Sequence, residues 1–174
     1  MTTIRRLHAP IVLPCDTAMT VLRDAVVDVG EDGRITHVGP AARAPATDVA
    51  TTRVEGLLMP GLVNTHAHTP LTVLRGLGGD LPLMRWLTEV VWPAEAKLEG
   101  PDVRAGMLAG AAEMLRGGVT TSTEMYFQCE HVVDAVLEIG SRVVLTPGII
   151  TAPGMDRLGT WEQMRDAISA WIDA

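Results

Sequence analysis

The chain has 174 residues, 47% of them hydrophobic, which is enough for one packed domain or for pieces of two. A net charge of −7, with no Lys/Arg cluster beyond Arg5-Arg6, argues against nucleic acid and anionic membranes as partners and fits a small neutral or polar ligand. Cys15 and Cys129 lie too far apart in sequence for a disulfide framework or a C-x-x-C metal pair, and no apolar run approaches the ~20 residues of a membrane span. A reduced, cytoplasmic setting is the expectation.

In chain order, residues 1–56 read as short strands and turns. Ile11-Val12-Leu13 is a brief apolar run ended by Pro14. Asp24 to Val29 and Ile35 to Val38 read as strands joined by a turn at Glu31-Asp32-Gly33-Arg34, with glycine supplying the positive φ. Pro40 to Ala50 reads as a loop and Thr51 to Val54 as another strand, giving a small antiparallel β unit. From Leu57 the pattern changes. Residues 57–64 read as a strand and its exit. Val103, Met107, Leu108, Ala111, Met114 and Leu115 fall on one helical face, stopped by Gly117-Gly118. Val119 to Met125 is β-branched. Val132, Val133, Val136, Leu137 and Ile139 form the next helical stripe, ended by Gly140, and Arg142 to Thr146 is a third strand. Thr160-Trp161-Glu162-Gln163 is a capping box, opening a helix expected to bury Trp161, Met164, Ile168 and Trp171. Apolar strands alternating with helices predict an α/β fold with a parallel sheet.

The sharpest chemical feature is Asn64-Thr65-His66-Ala67-His68. Side chains two apart on a strand share a face, so His66 and His68 aim two imidazoles at one place, and imidazole suits Zn²⁺ or Fe²⁺. The pair lies at the C-terminal end of an expected parallel strand, where (β/α)₈ barrels carry their active sites. His8, His37 and His131 carry no such pattern and read as surface or satisfied core residues.

The run P-G-L-V-N-T-H-A-H at 60–68 resembles the first-strand motif of the amidohydrolase superfamily. T-P-L-T-V-L-R-G at 69–76, D-L-P-L-M-R-W-L at 80–87, V-W-P-A-E at 91–95, A-E-M-L-R-G-G-V-T-T at 112–121 and E-M-Y-F at 124–127 are similar to the branch holding S-adenosylhomocysteine and methylthioadenosine deaminases, to which triazine hydrolases are related. This resemblance implies a (β/α)₈ barrel of TIM type beside a small β-sandwich. Residues 1–57 would be the N-terminal share of the sandwich and 58–174 roughly the first three βα units of the barrel.

It further implies a divalent metal, Zn²⁺ or Fe²⁺, held by His66 and His68, and a hydrolysis in which water activated by the ion displaces ammonia from an adenosine-type nucleoside. Glu95 would bind the ribose hydroxyls. Trp86 and Tyr126 would contribute to substrate binding, with Met125 beside them. Glu124 stands where relatives are expected to carry Asp. The expected partner is a small molecule, a nucleoside or heterocyclic amine, with homo-oligomerisation open. No catalytic acid/base is expected among these residues. The later metal ligands and the proton-shuttling Glu belong to strands beyond the three visible here, so the sequence reads as a fragment of a longer enzyme. Two alternatives remain: a triazine or other heterocycle amino- or chlorohydrolase, for which a ribose-binding acid would have no purpose, and a catalytically inactive fragment.

Overall fold

The computed structural model describes residues 2–152 and 155–173. Between Pro60 and Gly61 the chain divides into two compact units.

In the first unit, β1 (Thr3–Val12) pairs antiparallel with β2 (Leu22–Gly30), which pairs antiparallel with β3 (Ile35–Pro40). The other edge of β1 is taken by β4 (Thr51–Arg53) and β5 (Leu57–Leu58), both running parallel to it. The sheet is therefore mixed rather than the antiparallel unit expected. β1 is also far longer than the three apolar residues seen in sequence, because Arg5, Arg6 and His8 interrupt any alternation. Pro10 is tolerated in this central strand because it falls between the stretches paired with β4 and β5, where no ladder bond is demanded of its missing N–H. The core is small: Ala9, Val12, Ala25 and Val27, flanked by Leu22, Val38, Val54 and Leu58. On β2 the carboxylate of Asp28, buried at 1% exposure, takes a two-pronged hydrogen bond from Arg6 Nε and Nη2, each at 2.6 Å.

In the second unit β6 (Leu62–Ala67), β7 (Val119–Glu124) and β8 (Arg142–Leu145) form a parallel sheet in that order. This is the expected α/β alternation. Among the described residues the three strands make an open sheet, with β6 and β8 at its edges. The expected strand at 57–64 is two strands: β5 belongs to the first unit, and Met59-Pro60-Gly61 separates it from β6. Gly61 is needed there, since a Cβ would lie 2.1 Å from Thr120 Oγ1.

β6 leads into a 3₁₀ turn (Thr69–Leu74), then α1 (Leu83–Trp86), a π-helical turn (Leu87–Val91), α2 (Trp92–Glu95) and α3 (Gly100–Arg116). α4 (Cys129–Ile139) joins β7 to β8, and α5 (Trp161–Ile172) follows. The core is built from Val103, Met107 and Ala111 of α3, Tyr126 and Phe127 after β7, Val132, Ala135 and Val136 of α4, and Met155. Two burial expectations fail. Leu137 is 74% exposed, on the outer side of α4, and α5 buries Met164 while Trp161 and Trp171 stay 48% and 37% exposed. α5 packs by the middle of its stripe, and Trp161 instead lies against the Arg165 guanidinium, 5.0 Å from its ring centre.

α3 meets the 3₁₀ turn through glycine. A Cβ at Gly106 would stand 2.1 Å from the Pro70 carbonyl oxygen, and one at Gly110 2.4 Å from Thr69 Cγ2. Helix propensity alone favours alanine over glycine by about 1 kcal/mol. Overpacking costs about 1–3 kcal/mol, and an approach this close to backbone, which cannot rotate away, puts it at the upper end, enough to outweigh that gain. Gly106→Ala is therefore expected to lower the urea midpoint of unfolding, whereas a raised midpoint would show that the turn yields.

Candidate metal centre

His66 is on β6 and His68 just beyond its end. Ala67 between them is buried, which sends the two imidazoles to the opposite side of the strand. The ring centres are 5.1 Å apart and nearly perpendicular, at 88°. His68 leaves strand geometry at φ −133° and ψ 56°, opening the 3₁₀ turn. Its Nδ1 lies 2.9 Å from the Met125 carbonyl oxygen. A carbonyl only accepts, so Nδ1 carries the proton and the Nε2 lone pair is left free. The His66 amide donates to Asn64 Oδ1 at 3.2 Å.

This donor set fits a divalent ion in part. Two imidazoles on one face, one with its tautomer set by a carbonyl, are what such an ion takes from a single strand end. Among the described residues no group of three or more His, Cys, Asp or Glu is placed to complete a cage.

Glu95 ends α2 and is 4% exposed. Burial holds its carboxyl above the usual range, with Tyr126 and His68 opposing the shift. Because the folded-state pKa is raised, ionised Glu95 costs the fold stability at neutral pH, and that cost disappears as pH falls below the unfolded value.

Tyr126 is 2% exposed and stacked on Phe127, with ring centres 4.4 Å apart. Burial raises its hydroxyl pKa, and the Glu95 charge raises it further, yet no hydrogen bond of normal geometry reaches Tyr126 Oη. Trp86 is half-buried and donates its indole N–H to the Leu77 carbonyl at 2.8 Å. Met125 is 48% exposed beside His68.

Glu124, singled out in sequence, has a partner that escapes sequence reasoning. Thr69 donates its N–H to Glu124 Oε2 at 2.8 Å and its hydroxyl to Oε1 at 2.6 Å, and Glu124 is wholly buried. The available signal was a lone carboxylate at the end of a β-branched strand. Its partner 55 positions away had none.

The amidohydrolase family model matches residues 57–174. A 5-methylthioadenosine/S-adenosylhomocysteine deaminase of Symbiobacterium thermophilum is 40% identical over 164 residues, covering 92% of this chain and 37% of the relative. Among solved structures, an adenosine deaminase from Xanthomonas campestris with bound zinc is similar at 36% identity and TM-score 0.72, over 82% of this chain and 33% of that one. An atrazine chlorohydrolase from Arthrobacter aurescens TC1 complexed with zinc matches at 20% identity and TM-score 0.69, over 82% of this chain and 35% of that one, a likeness of fold alone. The chain thus spans little more than a third of the length of these relatives. With its H-x-H pair at the end of the first strand of a parallel sheet and the family model matching from Leu57 onward, the chain belongs to the amidohydrolase family.

Proposed function

We propose that this chain supplies the first two metal ligands and the sugar-reading acid of a hydrolase that deaminates adenosine-type nucleosides, S-adenosylhomocysteine and methylthioadenosine among them. Residues 58–174 would form the first three βα units of a (β/α)₈ barrel and residues 1–57 part of a β-sandwich. The observation that carries the proposal is Glu95, a carboxylate buried at the end of α2. The deaminase names of the relatives at 40% and 36% identity support it.

When bound, a divalent ion, zinc or iron(II), supplies water activated near neutral pH. His66 and His68 would hold the ion, His68 through Nε2 because Nδ1 is committed to Met125. Glu95 would accept hydrogen bonds from the ribose hydroxyls, orienting the nucleoside with its amino-bearing ring toward the histidines. Tyr126 acts from beneath, by its closeness to Glu95, since its ring is covered. Trp86 would offer its half-exposed face as a wall, tethered to Leu77.

A hydrogen bond to a charged group contributes about 1.5–3 kcal/mol, so Glu95→Gln is expected to lower kcat/KM for nucleosides by roughly ten- to a hundred-fold. The free base, which has no ribose, should be little affected. The nucleoside advantage should also fade as pH falls through the raised pKa of Glu95, because the acceptor is the ionised form. Steady-state ammonia release on nucleoside and free base decides the matter. Equal losses on both would exclude sugar recognition and favour the heterocycle hydrolase.

A further inference from the structure

β6 does not run in register with β7. Asn64 pairs with Ser122 and Ala67 with Glu124, so three steps on β6 oppose two on β7. The extra residue is a bulge around Thr65 and His66, and a bulge frees backbone that the ladder would otherwise hold. The strand is pinned again immediately afterwards. Met125 N–H donates to the Ala67 carbonyl at 3.1 Å, His68 Nδ1 to the Met125 carbonyl at 2.9 Å, and Thr69 gives both its donors to the Glu124 carboxylate. Three consecutive residues of one chain segment are thereby registered on two consecutive residues of another.

We propose that Glu124 is a positioning residue for the metal centre: its buried carboxylate fixes Thr69, and through it the backbone exit of His68, so that the His68 Nε2 lone pair is held in one direction. Thr69 presents an N–H and a hydroxyl together, so its partner must offer two hydrogen-bonding atoms. A carboxylate supplies both from one side chain. Glu124 is itself held: its carbonyl accepts the Thr146 N–H at 2.8 Å and the Thr146 hydroxyl at 2.9 Å, tying the arrangement to the residue after β8. Gly110 closes the remaining side of Thr69. This inference rests on His66 and His68 being metal ligands.

The test is zinc binding by the whole hydrolase proposed above, at low micromolar concentration, with a chromogenic chelator as competitor and far-UV circular dichroism of the metal-free protein as the control for folding. Glu124→Ala should weaken zinc by about ten- to a hundred-fold, the range typical of residues that orient a ligand. Glu124→Gln should stay within about threefold of the parent, because its amide oxygen accepts from the Thr69 N–H and its amide N–H donates to Thr69 Oγ1. Thr69→Val keeps volume and removes one donor, and should weaken zinc several-fold. Should Glu124→Ala fail to fold, Thr69→Val and Glu124→Gln decide together. Unchanged affinity in Thr69→Val, or in a folded Glu124→Ala, overturns the proposal, as does a Glu124→Gln loss as large as that of alanine, which would mean that charge and not positioning matters. If zinc uptake by the parent does not depend on His66 and His68, the metal-site reading fails first. If it does and Glu124→Ala binds normally, only the role of Glu124 falls.

Discussion

Replacing His66 and His68 together by Ala is expected to abolish both metal binding and turnover in the hydrolase proposed above. Metal sites of this chemistry take three or four protein ligands, and two lost at once leave no defined geometry. The loss should be larger than from either single substitution, because the remaining imidazole keeps part of the donor set, His68 with its tautomer still set by Met125. Elemental analysis of the purified double variant, beside an ammonia-release assay, measures both quantities. Full metal content with normal turnover would remove the metal centre from this strand end altogether. Neither histidine is part of the apolar core, so the thermal melt of the metal-free variant should stay close to that of the metal-free parent.

The second large effect concerns the 174 residues expressed by themselves. β6 and β8 each present an unpaired edge, and Leu62, Val63 and Val144 on them are 50%, 60% and 55% exposed. Unpaired N–H and C=O groups beside exposed β-branched side chains template association with further strands. The chain alone is therefore expected to be polydisperse by light scattering, to melt without a sharp transition, and to release no ammonia. Val63→Lys and Val144→Lys, which place charge on those edges, should raise the monomer fraction. A monodisperse monomer with a sharp melt and measurable turnover would contradict this account of the sheet.

The parts of the fold that were legible in sequence are those where local chemistry and final environment agree. β7 and β8 lie in the β-branched runs from Val119 and Arg142, and α3 and α4 end at the glycines expected to stop them. β1 was not legible, because its place at the centre of a sheet comes from partners on both sides and not from its own polar sequence. Nor was the parallel pairing of β4 and β5, which depends on the path of the chain around β1. Trp161, Leu137 and Trp171 show the converse failure: an apolar stripe reports which residues prefer burial, while exposure depends on what lies opposite. At the metal centre the two histidines are visible by spacing alone. The bulge that re-aims them and the carboxylate that pins Thr69 appear only when two distant strand ends meet.

The π-helical turn at Leu87–Val91 gives this region an unusual tolerance of changes in length. Such turns are single-residue insertions into an α-helix, and each residue of an α-helix rotates the chain by about 100°. Excision of one residue from 87–91 would relax the turn to ordinary helix with every backbone bond intact. The wide turn takes up the extra residue locally, so the flanks keep their phase through that excision and Trp86 can keep the Leu77 carbonyl while Glu95 keeps its buried place. The same excision from the middle of α3, which holds no such turn, would rotate one half against the other by about 100°, so this stretch can change length where α3 cannot.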